Sequence, residues 1–239
     1  MPDANAHNWS AALAGKFLVF EGPDGSGKTT QLRRVVECCK AAGVELIEVR
    51  EPGGTHIGEH IREVLLDKET GELAMRCEML LYMASRAQLV EEKILPALAK
   101  NKLVIADRFV SSTLAYQGAA GGLPQDEIRA VAACALQGLR PDLVIIFDVD
   151  EVTAAARMNP LLHAQNGGAP TRDRAELDRI EARGLEFHRK VRAGYLEQAR
   201  LDPEHHLVVD ASKAPEQVWE ELKRGLCGRF GKSGGQPSG

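Results

Sequence analysis

The chain has 239 residues and a formal net charge of −4, so no global basic field directs it to nucleic acid or to an acidic membrane surface. Its five cysteines, at 38, 39, 77, 134 and 227, are odd in number and lack zinc-type spacing, which predicts reduced, buried thiols rather than a disulfide framework. No apolar run approaches the roughly 20 residues of a membrane span, and the first residues lack signal-peptide organisation, so the cytoplasm is the expected compartment.

In chain order, the composition of residues 1–14 favours disorder, and Phe17–Glu21 then reads as a buried strand. A glycine-rich turn leads into a helical pattern over Thr29–Ala42, in which Leu32, Val35, Val36 and Cys39 recur at helical spacing. Val44–Val49 is a second strand and Ile57–Leu66 a helix; Ala74–Ala99 is a long helix broken near Pro96. Leu103–Ala106 and Leu143–Val149 read as strands on either side of a helix over Gln125–Leu139. Met158–Arg174 is rich in Gly, Pro and Asn before it turns basic, and reads as an irregular loop. A helix over Arg179–Arg200, a strand at Leu207–Val209 and a helix over Pro215–Leu226 close the pattern, and Gly231–Gly239 again favours disorder. Strands alternating with helices predict an α/β fold with a five-stranded parallel sheet flanked by helices on both faces. One domain is expected over 15–228, with a lid at about 157–179 and extensions at 1–14 and 229–239.

The segment Gly22-Pro23-Asp24-Gly25-Ser26-Gly27-Lys28-Thr29, followed by Thr30, fits G-x-x-x-x-G-K-[ST] and lies between the first strand and the first long helix. Such a loop curls its N–H groups around phosphate oxygens at a helix N-terminus. Lys28 then reaches the terminal phosphates, and the Thr29 hydroxyl faces magnesium. ATP and Mg2+ are therefore expected. In an open parallel sheet, ligands gather at the carboxyl ends of the strands, so the residues there are the ones to search. After the second strand comes Arg50-Glu51-Pro52-Gly53-Gly54-Thr55, where Arg50 is either a phosphate ligand or part of a surface turn. After the third comes Asp107-Arg108, then Ser111, Ser112, Thr113, Tyr116 and Gln117. Asp107 is preferred to Asp148 for ordering hydrated magnesium, because Arg108 beside it supplies a phosphate partner. Tyr82 and Arg86 share a helix face and can stack and hydrogen-bond a base, although a core Tyr beside a surface Arg is the commoner arrangement. Arg172, Arg174 and Arg179 alternate with carboxylates, as in a solvated helix start or in a lid that brings cations to a transferring phosphoryl group.

These residues resemble the thymidylate kinase family, whose members phosphorylate dTMP. The resemblance spans roughly residues 16–226 and rests on FEGPDGSGKTTQ, REPGGT, the pair LLYMASR and DRFVSSTLAYQG, and RAELDRIE. It implies a P-loop kinase fold and a cytoplasmic homodimer that takes dTMP and ATP, with neither nucleic acid nor membrane as partner. Asp24 would face the sugar 3′-hydroxyl, Arg50 and Arg108 the acceptor phosphate, Tyr82 and Arg86 the thymine, and Ser112, Thr113 and Gln117 the rest of the pocket. Tyr116 would crowd the 2′ position of the sugar. Some members carry a catalytic arginine within the loop where this chain has Gly25, so the resemblance assigns that cation to the lid, with Arg174 first and Arg172 and Arg179 behind it. Another small-molecule kinase of this fold, or a nucleotide-dependent switch acting through a partner, are the rival readings.

Overall fold

The computed structural model describes residues 8–158, 180 and 183–231. Its centre is a five-stranded, all-parallel sheet in the order β2-β3-β1-β4-β5. The strands are β1 (Phe17–Glu21), β2 (Leu46–Arg50), β3 (Leu103–Asp107), β4 (Leu143–Asp148) and β5 (His206–Asp210). Each expected strand is present. β2, β3 and β5 run up to a residue further than expected at their carboxyl ends, so that Arg50, Asp107 and Asp210 finish them. The register pairs Arg50 with Asp107 and Phe20 with Asp107, which aligns those ends into one rim.

Alternation along β1 explains why both faces are covered. Phe17 and Val19 enter one apolar cluster, with Val104, Ala106 and Ile146, whereas Leu18 and Phe20 enter the other, with Ile105, Ile145 and Phe147. The helices are α1 (Asn8–Ala11), α2 (Lys28–Ala41), α3 (His56–Leu66), α4 (Met75–Leu89), α5 (Leu95–Ala99), α6 (Val110–Thr113), α7 (Gln125–Leu136), α8 (Glu151–Met158), α9 (Leu185–Leu201) and α10 (Pro215–Phe230). α1, α2 and α10 cover the Leu18/Phe20 face, and α4, α5 and α9 the Phe17/Val19 face.

The long helix expected over Ala74–Ala99 is continuous in direction but widens into π geometry over Val90–Ile94, just ahead of Pro96. A proline has no N–H for the preceding turn, and the widened turn accommodates that missing donor. α6 widens in the same way over Leu114–Ala120, which carries Tyr116 and Gln117 along one side of the rim.

Three expectations need correction. Residues from 8 onward belong to the fold: Trp9 is 1% exposed and Leu13 is fully buried, both in the cluster beneath α2 and α10. A short polar-flanked segment with two large apolar residues gives no periodic signal, yet the groove between two helices supplies the burial. Of the five thiols only Cys39 is buried, while Cys77 on α4 and Cys134 on α7 are exposed, because the inward faces of those helices are taken by Met79, Met83, Ile128 and Ala132. The structure also carries the last helix to Phe230, past the expected domain limit at 228. Among the described residues no helix is long and apolar enough to cross a membrane.

The indole nitrogen of Trp9 is buried with no hydrogen-bond partner among the described residues, so its loss offsets part of the cost of removing the ring. Trp9→Ala is expected to lower the unfolding free energy by about 3 kcal/mol, the lower end for a buried Trp. Urea denaturation measures it, and a change under about 0.5 kcal/mol, the range of a surface substitution, would detach α1 from the fold.

Candidate active site

β1 hands the chain to the phosphate loop, where Gly25 and Gly27 both take φ 80°, a left-handed conformation open to glycine at little cost. Gly27 caps α2, and Lys28 opens it, with its side chain 6% exposed and its Nζ 3.1 Å from Asp107 Oδ1 at the end of β3. Thr29 and Thr30 follow, exposed in the first turn of α2. A Cβ on Gly25 would lie 2.2 Å from the Ala154 carbonyl and 2.9 Å from Met158 Cγ. α8 is therefore seated directly on the loop at that residue. Arg157, on the same helix, donates to the carbonyls of Ala211 at 2.6 Å and Ser212 at 3.0 Å, tying α8 to the loop after β5.

Across the rim stands Arg108, whose φ of 73° is uncommon for a side-chain-bearing residue. Its Nη2 donates to Asp24 Oδ1 at 3.0 Å, joining the end of β3 to the phosphate loop. Its Nη1 lies 3.4 Å from Ser112 Oγ and from Tyr195 Oη and 3.5 Å from Tyr116 Oη, and its guanidinium lies over the Tyr116 ring. Beneath these groups is Glu21, fully buried. One oxygen of Glu21 accepts from the Phe109 and Ser112 N–H groups; the other accepts from Ser112 Oγ at 2.6 Å and Tyr195 Oη at 3.0 Å. Burial pushes the Glu21 carboxyl above its ordinary pKa, against the pull of Arg108 and these donors. For Asp24, partial burial acts in the same upward sense, but Arg108 and Lys28 outweigh it and hold the carboxyl low.

Between the two sides lies a cavity of about 520 Å³, a volume suited to small ligands. Asp24, Lys28, Thr29, Arg50, Tyr82, Asp107, Arg108, Ser112, Thr113, Tyr116 and Gln117 all line it, so the structure brings together residues from four separate stretches of sequence. Arg50 is half exposed and paired with Glu59 at 3.0 Å. Asp148, the rival for the metal, is gripped by Arg192 at 2.6 and 2.9 Å. Arg86 differs from expectation, since it is 1% exposed and lies behind the wall. There it donates to Glu51 at 2.8 Å, Thr113 Oγ1 at 3.2 Å and the Phe109 carbonyl at 3.0 Å. In this structure Arg86 therefore braces the pocket from behind. Arg172, Arg174 and Arg179 lie outside the described residues.

Sequence reasoning missed Glu21, Glu51, Glu78, Arg157, Arg183, Arg192 and Tyr195. Glu51 lay inside a motif, but only its backbone drew notice; Tyr195 is 1% exposed on α9, far along the chain, and no local pattern points to Arg108.

A phosphate-gripping loop that faces an arginine-walled pocket across one cavity defines a P-loop phosphotransferase with a built-in place for an anionic acceptor. Sequence comparison narrows that class. A family model described as thymidylate kinase matches residues 20–222, and the chain belongs to the thymidylate kinase family. It is 42% identical to the thymidylate kinase of Exiguobacterium sp. over 210 residues, covering 88% of this chain and 93% of the relative. To that of Pelotomaculum thermopropionicum it is 45% identical over 206 residues, 86% and 90% of the two chains. To that of Cutibacterium acnes it is 38% identical over 216 residues, 90% and 98%.

The contact of α8 with the loop makes Gly25 the most constrained position of the donor side. Gly25→Ala is expected to lower kcat/KM for ATP by at least about tenfold, since both the positive φ and the Ala154 carbonyl oppose a Cβ; steady-state kinetics with a melting curve test this, and wild-type kinetics would show that the loop relaxes freely. A second expectation concerns Glu51, whose carboxyl burial pushes up to about 7, more than Arg86 beside it lowers it. The folded protein then holds a proton on Glu51 between about pH 4.5 and 7 that the unfolded chain has released. That contribution to stability is full below the lower value and is lost as pH rises through the upper one. Unfolding free energy measured across this range should fall less steeply with pH in Glu51→Gln than in the parent; equal slopes would return the group to an ordinary carboxylate.

Proposed function

We infer that the chain transfers the terminal phosphoryl group of ATP to dTMP, giving dTDP and ADP, a step of dTTP synthesis. The observation that carries this reading is the meeting, across one cavity, of Lys28 in the phosphate loop with Arg108 and the Tyr82–Gln117 pocket, within a thymidylate kinase chain. A switch module needs no acceptor pocket of this kind.

The acceptor needs no general base. A phosphate monoester with a second pKa of about 6 is already mostly dianionic at neutral pH. Rate therefore comes from positioning and from charge stabilisation. The loop from Gly22 to Thr30, with Lys28, holds the ATP phosphates; Arg50 and Arg108 hold the dTMP phosphate in line with them. Tyr82 flanks the base, Ser112, Thr113 and Gln117 line its edges, Arg86 fixes Thr113 from behind, and Tyr116 restricts the sugar. Asp24, already paired with Arg108, faces the sugar's 3′ side.

The residues also fit magnesium: Asp107 stands at the end of β3 with Oδ1 3.1 Å from Lys28 Nζ, a carboxylate beside the phosphate loop, and Thr29 is exposed in the neighbouring turn. The ion, held mainly by phosphates and water, would neutralise charge on the β- and γ-phosphates. Arg174, with Arg172 and Arg179, supplies the remaining transition-state cation in this reading. Exposed Ile57 and Val64 on α3 and Leu80 on the neighbouring α4 support a homodimer through those helices. A cytoplasmic location agrees with five free thiols and with nucleotide substrates.

Incubation with ATP, magnesium and dTMP, followed by chromatography, should yield dTDP and ADP in equal amounts. ADP release without dTDP would turn the reading towards an ATPase, and a higher rate with a different monophosphate would reassign the acceptor.

A further inference from the structure

Next to Gln117 of the acceptor pocket lies an ion pair, Arg183 with Glu78, that the reaction described above does not use. Glu78, Tyr82 and Arg86 are four residues apart in turn and so share one face of α4. Glu78 is fully buried. One of its oxygens accepts from Gln117 Nε2 at 2.7 Å, and the other from Arg183 Nη2 at 2.7 Å. Arg183 precedes α9, its side chain is 19% exposed, and its guanidinium carbon lies 4.8 Å from the centre of the Phe187 ring. Its Nη1 has no hydrogen-bond partner among the described residues, where the guanidinium donates to Glu78.

This arrangement decides which way the Gln117 amide points. A glutamine amide has a donating and an accepting end of nearly equal size, and its neighbours choose between the two orientations. Glu78, ion-paired with Arg183, accepts from Gln117 through Nε2, so the Gln117 NH2 faces it. The amide oxygen of Gln117 is then left over. It has no hydrogen bond among the described residues, and Gln117 lines the cavity.

We propose that the Arg183–Glu78 ion pair is a positioning pair for base specificity: it fixes Gln117 with its oxygen toward the acceptor base, so that the pocket selects a base presenting an N–H on that edge. Thymine and uracil carry a proton on N3. Cytosine carries a lone pair there, and two facing acceptors repel while each loses its water. The pair touches no substrate and acts through Gln117. The proposal rests on the dTMP kinase reading and adds to it the physical origin of its preference among pyrimidines.

The test compares kcat/KM for dTMP, dUMP and dCMP in the parent, Glu78→Gln, Arg183→Gln and Arg183→Lys. An amide at 78 can itself donate, which lets Gln117 turn over and offer its NH2 to cytosine. Glu78→Gln should therefore lower the dTMP:dCMP ratio by at least about tenfold, the effect of one mismatched hydrogen bond of about 1.4 kcal/mol. The dTMP:dUMP ratio should hold within about twofold, because both bases carry the N3 proton. Arg183→Gln should move the ratios in the same sense, and Arg183→Lys, which keeps the cation, should retain most of the discrimination. If Glu78→Gln fails to accumulate as folded protein, Arg183→Gln carries the test, since that side chain is partly open to solvent. An unchanged dTMP:dCMP ratio in a folded variant with parental KM for ATP would overturn the proposal. So would a parallel fall in dTMP:dUMP, which marks general damage to the pocket. A parent that makes no dTDP would instead refute the dTMP kinase reading, so the two failures are told apart.

Discussion

The 3.0 Å ion pair between Arg108 and Asp24 fastens the acceptor wall to the phosphate loop, and the rest of the site is arranged around it. It joins residues 84 positions apart, and each end is set in further contacts. Asp24 lies in a loop seated under α8. Arg108 has a left-handed backbone whose N–H bonds to the Phe20 carbonyl at 2.9 Å, and a side chain walled by Tyr116, Ser112 and Tyr195. A strained residue persists only where its surroundings over-determine it, and here the surroundings are two β-strand ends, a widened helix and α9.

That over-determination depends on a buried carboxylate. Glu21 ends β1, the strand that pairs with both β3 and β4, and its two oxygens accept four hydrogen bonds from the segment after β3 and from α9. A carboxylate so placed is costly to desolvate, and burial indeed raises its pKa. The donors around it recover much of that cost and convert it into geometry: Ser112 and Tyr195 meet the same oxygen and hold one side of Arg108. Gly194 makes this possible from the α9 side, because a Cβ there would lie 2.6 Å from the Ala119 Cβ. The helix can approach the Tyr116 segment closely enough for the next residue, Tyr195, to reach the site.

What was legible in the sequence follows from the range of the forces involved. Strands, the phosphate loop and the long helices are local patterns of period and spacing, and β1 to β5 and Lys28 stood where they were read. Residues directly after strands also stood at the rim, because a parallel sheet brings its carboxyl ends to one side. Glu21, Glu51, Glu78 and Tyr195 were illegible for the opposite reason. Their meaning lies in partners 35 to 174 positions away, from Glu51 with Arg86 to Glu21 with Tyr195, and a lone buried acid looks the same in sequence as an exposed one. Arg86 was misplaced by the same limit, since helical spacing gives the face it shares with Tyr82 but not how deep that face is buried. Trp9 shows it again at the chain's start, where the burial is provided by α2 and α10 and nothing nearby announces it.

The source of the last transition-state cation can be narrowed by asking which positive groups near the cavity are already neutralised. Lys28 faces Asp107, Arg108 faces Asp24, Arg50 faces Glu59, Arg183 faces Glu78, Arg189 faces Glu151 and Arg192 faces Asp148. Arg157 is spent on carbonyls of the loop after β5, and Arg62 on the Pro52 carbonyl. Nor can the phosphate loop itself carry one at Gly25, where α8 leaves no room for a side chain. Each of these cations is therefore already partly compensated within the described residues. Each arginine that the described cavity wall contributes thus has a partner already, and it is the family likeness that assigns the remaining cation to Arg174, with Arg172 and Arg179 behind it.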